Sequence, residues 1–233
     1  KMVTSREEHI DNLQKFTQGY DHDGSPRRHV GDILHSKPSV IPYGDKDVIF
    51  LGTNEGYLHA ISDEGKELFA FMPASLIPNI EEQYINEPLT ESSNRSYGLD
   101  GEITVWISDK NKNGKVDSSD GDSAYLYFGL RRGGNTYYAL DVTDPSAPKL
   151  LWNISNETPG FERLGQTWSK PTLGKLRYED AGTTKFEEVL VFGGGYDAAV
   201  YDEEDVSARD YTSLKGNGIY IVNAKTGKYI WSY

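Results

Sequence analysis

Val48-Ile49-Phe50-Leu51-Gly52, then Gly56-Tyr57-Leu58-His59-Ala60-Ile61, then Gly65-Lys66-Glu67-Leu68-Phe69-Ala70-Phe71, all led in by Ser36-Lys37-Pro38, is the stretch that decides the fold, because the chain writes it again. The last copy reads Ser169-Lys170-Pro171, Val189-Leu190-Val191-Phe192-Gly193, Gly218-Ile219-Tyr220-Ile221-Val222-Asn223-Ala224 and Gly227-Lys228-Tyr229-Ile230-Trp231. Between them lies a copy with a weaker first strand over 103–107, followed by 124–129, 136–142 and Leu150-Leu151-Trp152. Short apolar runs bounded by Gly, Asp, Asn and Pro read as strands, and each copy implies four of them. A four-stranded unit cannot bury both faces alone, so its repetition with insertions in the connecting loops predicts propeller blades. Three units are visible and a closed ring needs at least about four, which predicts a partial ring. A β-sandwich matches the strand lengths but not Ser-Lys-Pro at equal positions of two units. Pro38 and Pro171 suit the start of an edge strand, where the missing N–H breaks no ladder.

Ahead of the repeat, one segment reads as helix. Ser5 is a cap, Glu8 takes the capping-box position, and Ile10, Leu13 and Phe16 follow at helical spacing. The expected organisation is therefore an N-terminal helical and linker segment over 1–30 and an all-β partial propeller over 31–233. Composition agrees: 233 residues allow a sizeable core, aromatics make up 12%, and the 24 glycines supply turns.

A formal net charge of -12 sets up a field that disfavours phosphate backbones, so nucleic acid is not an expected partner. With no cysteine, disulfides, thiolate zinc sites and cysteine nucleophiles are excluded. No apolar run is long enough to span a bilayer, and no transmembrane segment is expected. The start at Lys1-Met2 lacks a basic-then-apolar leader, which suggests a piece of a longer precursor.

The strongest chemical signal is Asp109-Lys110-Asn111-Lys112-Asn113-Gly114-Lys115-Val116-Asp117-Ser118-Ser119-Asp120, which fits D-x-[DN]-x-[DN]-G through its first six positions. Calcium wants six to eight oxygens, and alternation in a tight loop turns Asp109, Asn111 and Asn113 inward while Lys110 and Lys112 point out. Gly114 permits the sharp turn, Lys115 offers its backbone carbonyl with its ammonium toward solvent, and Asp117 supplies a carboxylate at the ninth position. Asp120 stands where helix-loop-helix sites have a longer, bidentate Glu; the favoured reading makes Asp117 bidentate and leaves Asp120 outside. Flanking strands at 104–107 and 124–128 put the loop in a β-hairpin, and two Asn ligands suit a weak site for an extracellular, calcium-rich setting. The plainer alternative is an ordinary Asn113-Gly114 hairpin turn.

Other candidates are weaker. Gly193-Gly194-Gly195 has no following Gly-Lys-Ser/Thr and reads as a turn rather than a phosphate cradle. Arg131-Arg132-Gly133-Gly134 has guanidinium forks for an anion or a partner carboxylate, but glycine pairs mark a structured inter-strand loop. His35 and His59 are expected in separate strands without a local partner, and the acidic run 202–205 reads as a solvated loop.

Taken together these runs resemble the C-terminal domain of the PilY family, called PilC in some pathogens, whose members occur at type IV pilus tips. The carriers are Gly31-Asp32-Ile33-Leu34-His35-Ser36, the stretch from Gly52 to Ala60, the loop from Asp109 to Asp117, the stretch from Gly129 to Pro145, Leu164 to Pro171, and Val191 to Asp197. The resemblance implies a modified, quinoprotein-like propeller with a calcium loop carried by Asp109, Asn111, Asn113, the Lys115 carbonyl and Asp117. It further implies a non-enzymatic surface protein of pilus biogenesis, twitching motility, cell adhesion and virulence, in which bound calcium opposes pilus retraction. The implied partners are minor pilins at the pilus tip and a host-cell surface ligand. The implied location is extracellular, at the pilus tip or outer-membrane surface after export through the periplasm. No Arg-Gly-Asp occurs here, so integrin binding has no support. The rival within the same architecture is a quinoprotein dehydrogenase, suggested by Leu151-Trp152 and Ile230-Trp231. Such enzymes gather calcium ligands from distant strands and often carry a vicinal cysteine pair, which this chain lacks.

Overall fold

The computed structural model describes residues 5–27, 30–86 and 96–233; the remaining parts of the expected N-terminal segment, Lys1-Met2 included, lie outside them. Among the described residues twelve strands form three separate four-stranded sheets. The first contains β1 (Ser39–Tyr43), β2 (Lys46–Gly52), β3 (Leu58–Ser62) and β4 (Glu67–Phe71). The second contains β5 (Thr104–Ser108), β6 (Ser123–Phe128), β7 (Tyr137–Asp141) and β8 (Lys149–Ile154). The third contains β9 (Thr172–Asp180), β10 (Thr183–Gly193), β11 (Ile219–Asn223) and β12 (Tyr229–Ser232). Each is an antiparallel meander in which sequential strands pair, as the repeat predicts, and the three do not close into a barrel.

Side-chain alternation on the middle sheet explains how three open sheets share a core. Ala124, Leu126 and Phe128 of β6, with Tyr138 and Leu140 of β7, pack with Ile41, Phe50 and Leu58 of the first sheet. The intervening Tyr125, Tyr127, Tyr137 and Ala139 pack with Leu190, Phe192, Tyr220 and Val222 of the third. Successive strand residues point to opposite faces, so a sheet covered on both sides shows a continuous run of buried residues, and β6 from Ala124 to Phe128 does. That is how stacked blades pack.

The Ser-Lys-Pro repeat has a physical role that strand patterning does not reveal. Ser36 Oγ accepts the Gly52 N–H at 3.0 Å, and Ser169 Oγ accepts the Gly193 N–H at 3.1 Å, so each serine ties the entry of its sheet to the end of the second strand. The two lysines converge on one carboxylate of the middle sheet's entry, with Glu102 at 2.8 Å from Lys37 and 3.5 Å from Lys170.

Three expectations need correction. The first two strands of the last unit are longer than the apolar pattern indicates: β9 and β10 form a hairpin paired from Thr172 with Val191 out to Asp180 with Thr183. Its outer part is mostly exposed, so no buried face imposes a hydrophobic period there. The N-terminal helix α1 (Arg6–Thr17) is capped by Ser5, which accepts the Glu8 N–H at 3.1 Å, but Ile10 is exposed; Asn12, Phe16 and half-buried Leu13 face inward instead. A second helix, α2 (Ile80–Ile85), covers that face through Ile80 and Tyr84, with the Phe16 and Tyr84 rings edge-to-face at 5.6 Å. No described helix is long and apolar enough to cross a membrane.

Candidate metal centre

The connection from β5 to β6 spans 109–122 and holds all five residues expected to ligate calcium: Asp109, Asn111, Asn113, Lys115 and Asp117. Its shape is set by the side-chain oxygens of those residues. Asp109 Oδ1 accepts the Lys112 N–H at 2.6 Å and its Oδ2 accepts the Gly114 N–H at 2.7 Å, wrapping the backbone around one carboxylate. Asn111 Oδ1 accepts from Asn113 N at 3.0 Å, and Asn113 Oδ1 accepts from Lys115 N at 2.8 Å, two successive Asx turns. The path requires left-handed backbone at Gly114, φ 80°, as the sequence predicts, and also at Lys112, φ 60°, which it does not.

Asp117 turns the chain into a short 3-10 segment over Ser118–Asp120, its Oδ1 accepting from Ser119 N at 2.8 Å and Ser119 Oγ at 2.7 Å. Those two bonds hold its carboxyl below the usual value of 3.8, so it is a ready anion. Asp120 is less remote than the favoured reading puts it: its Oδ2 accepts from Asn111 Nδ2 at 2.6 Å. The Lys115 ammonium does not simply face water either, since Nζ donates to Asp45 Oδ1 at 3.0 Å, in the turn between β1 and β2.

Two anchors escape sequence inspection. Asp122 is buried, and its two oxygens accept the Lys110 N–H at 2.7 Å and the Asp117 N–H at 3.1 Å, closing the base of the loop. Val116 is buried in the core shared by the first and second sheets, and its N–H donates to the Pro42 carbonyl at 2.8 Å. The one available signal for both is position. A lone Val in a run of polar residues, and an Asp just before a strand, each ask what they touch.

The donor set is two carboxylates, two amide oxygens and a carbonyl. Each hydrogen-bonded oxygen of Asp109, Asn111 and Asn113 keeps a second lone pair, and Asp117 Oδ2 accepts no bond among the described residues. A set of hard oxygens in one glycine-bent loop fits a hard divalent cation. Among the described residues no group of three or more His, Cys, Asp or Glu side chains is arranged to hold a metal, so any ion here depends on the asparagines and the carbonyl.

The other candidates resolve as structure. His59 lies in β3 with Nδ1 at 2.6 Å from Glu67, whereas His35 lies in a bend ahead of β1, not in a strand, with Nδ1 at 2.7 Å from buried Asp100. Gly194 and Gly195 pass so close to the Gly216 and Gln166 backbones that no side chain fits, which accounts for the glycine run without a phosphate. Residues 202–205 are exposed, as expected of a solvated loop.

No family model matches the chain. It is 36% identical over 129 residues to a type IV pilus biogenesis factor PilY1 homolog of Xylella fastidiosa, a match covering 55% of this chain and 9% of that protein. It is 30% identical over 175 residues to type IV pilus biogenesis factor PilY1 of Pseudomonas aeruginosa, covering 63% of this chain and 14% of that protein. The crystal structure of the P. aeruginosa PilY1 C-terminal domain superposes with a TM-score of 0.48 and 25% identity, over 80% of this chain and 29% of that one. The chain thus spans only a small part of the relatives it matches. Sequence relatives of that one description in two organisms, together with the resemblance of its repeated motifs, support a PilY1-family C-terminal domain.

Proposed function

We propose that this chain is a non-enzymatic, calcium-binding module of a type IV pilus biogenesis factor, exposed at the pilus tip or outer-membrane surface. The observation that carries the reading is the 109–122 connection. It is an insertion of oxygen-bearing residues, folded around the Asp109 carboxylate, closed at its base by buried Asp122 and pinned to the core by Val116. Asp109, Asn111, Asn113, the Lys115 carbonyl and Asp117 would hold the ion, with Asp120 one hydrogen bond away from Asn111. Bound calcium supplies a positive centre that fixes the loop against the first sheet through Val116 and the Lys115–Asp45 pair. In that state the module supports pilus extension against retraction, and through it motility and adhesion, with minor pilins and a host-cell ligand as partners.

The test is Asp117→Ala in the full-length protein, scored for surface piliation, twitching and calcium dependence beside its folding. Loss of piliation with an unchanged circular dichroism spectrum and thermal midpoint supports calcium as a switch. Loss of folding together with piliation makes calcium a structural staple. Normal piliation at every calcium level contradicts the proposal.

A further inference from the structure

The geometry points to a second binding site, a cradle for a carboxylate group formed by Arg131, Arg132 and Trp168, independent of the calcium loop. It lies at the other end of β6, in the connection to β7, where all three sheets contribute. His35 comes from the entry to the first sheet, Asp100 from the entry to the second, Trp168 from the entry to the third, and Tyr196 and Asp202 from the β10–β11 connection.

Arg131 has φ 53°, a left-handed backbone that costs an ordinary L-residue and that glycine takes freely. Gly129, Gly133 and Gly134 stand beside it, so the local backbone is already built for close turns; the arginine is the exception, and strained residues of this kind cluster at ligand sites. Backbone contacts hold the turn rigidly: Arg131 N donates to Thr167 O at 3.2 Å, Leu130 N to Thr167 Oγ1 at 2.8 Å, and a Cβ on Gly133 would meet the Gly98 carbonyl.

The guanidinium groups are placed but not satisfied. Arg131 Cζ lies 4.6 Å and Arg132 Cζ 5.4 Å from the Trp168 ring, two cations against one indole. Arg131 Nε is buried without a hydrogen bond, at 3.4 Å from Asp100 Oδ2, an oxygen already 2.7 Å from His35 Nδ1. The other Asp100 oxygen accepts the His35 N–H at 2.7 Å. Arg132 Nη1 reaches Asp202 Oδ2 only at 3.7 Å, while the other Asp202 oxygen accepts the Tyr196 hydroxyl at 2.6 Å. Among the described residues neither arginine side chain donates a hydrogen bond, although each carries five N–H groups in a planar fork. Both side chains remain partly open to solvent, 23% for Arg131 and 40% for Arg132.

What satisfies two forks at once is a planar acceptor with two oxygens. Asp100 and Asp202 flank the pair, so a singly charged carboxylate fits better than a phosphate, and the chain's net charge of -12 opposes any polyanion. Trp168 and Tyr196, rings 5.3 Å apart, form an aromatic wall for the organic body that carries the carboxylate. That group is an acidic side chain, a polypeptide C-terminus or a small organic acid.

Isothermal titration of the full chain at constant ionic strength tests this with four probes. They are N-acetyl-Ala-Ala-Phe with a free C-terminus, N-acetyl-Glu-Glu amide, succinate, and inorganic phosphate, with N-acetyl-Ala-Ala-Phe amide as the uncharged control. At least one carboxylate probe is expected to saturate, and which one does identifies the source; the control and phosphate are expected not to. Arg131→Gly and Arg132→Gln are each expected to weaken binding by about tenfold or more, with the wild-type circular dichroism spectrum retained. If Arg131→Gly unfolds the chain, Arg132→Gln, which touches no buried carboxylate, carries the test. The proposal is overturned if no carboxylate saturates, if phosphate binds as tightly, or if binding survives in a folded Arg132→Gln variant.

Discussion

The same topological step, from the first to the second strand of a sheet, is made in three ways. The first sheet uses Gly44 and Asp45, and the third uses Ala181 and Gly182, both at positive φ of 48° and 78°. Two-residue connections of this kind match the twist of the strands they join. The middle sheet takes residues 109–122 for the same step. Since its neighbours show that a hairpin here needs only two residues, the long connection is not demanded by the sheet. Its polar groups close on each other around buried Asp122, and Val116 and the Lys115–Asp45 pair tie it to the first sheet. An insertion that the fold does not need, and that is built from hard oxygens, is where a ligand is to be sought.

That contrast can be broken first at the base of the loop. Asp122→Ala leaves the Lys110 and Asp117 N–H groups without their acceptor, at roughly 2 kcal/mol each for hydrogen bonds to a charged group. A loss of about 4 kcal/mol in urea unfolding is expected, together with loss of calcium binding. A loss under about 1 kcal/mol would mean the loop is not anchored there. Val116→Ala separates anchoring from ligation: it removes buried methyls from the core, costing about 2 kcal/mol, while calcium affinity changes little.

At the third sheet the expected effect is smaller and of opposite sign. Ala181→Asn places a residue that tolerates left-handed backbone at φ 48° and should stabilise the chain by about 0.5–1 kcal/mol with no change in calcium response. A destabilisation would show that this hairpin's turn is held by something other than local conformation.

The smallest effect is on pH. Asp117 titrates below its ordinary 3.8, first because of the Ser119 side chain and then its N–H, so its charge is fully present above 3.8 and is lost only as pH falls through the lower folded value. Ser119→Ala removes the larger of those bonds. Calcium binding, followed by titration at successive acidic pH values, should therefore fail at a higher pH in the variant than in the wild type.

The two kinds of connection also show what sequence carries. Strand periodicity and the Ser-Lys-Pro repeat made the three sheets legible, and the alternation of Asp109, Asn111 and Asn113 before Gly114 made the loop legible, because these are local patterns. The serine bonds to Gly52 and Gly193 and the Lys115–Asp45 pair join residues from different elements, and the Asp122 bonds close the two ends of one loop; nothing in the spacing of either partner announces them. The outer β9–β10 hairpin and α2 were missed for the opposite reason. The hairpin's exposed end follows no hydrophobic period, and α2 is too short for one to emerge. Arg131 and Arg132 were visible as a pair, but not their shared indole or the left-handed backbone beneath one of them.

The central claim, that the Asp109–Asp117 loop binds calcium, is tested most directly by calorimetric calcium titration of the wild-type chain beside Asp109→Ala. The account predicts saturable one-site heat in the wild type, with a stabilisation of about 3 kcal/mol at a hundredfold excess over Kd, and neither in the variant. Equal heats from the two proteins would contradict it.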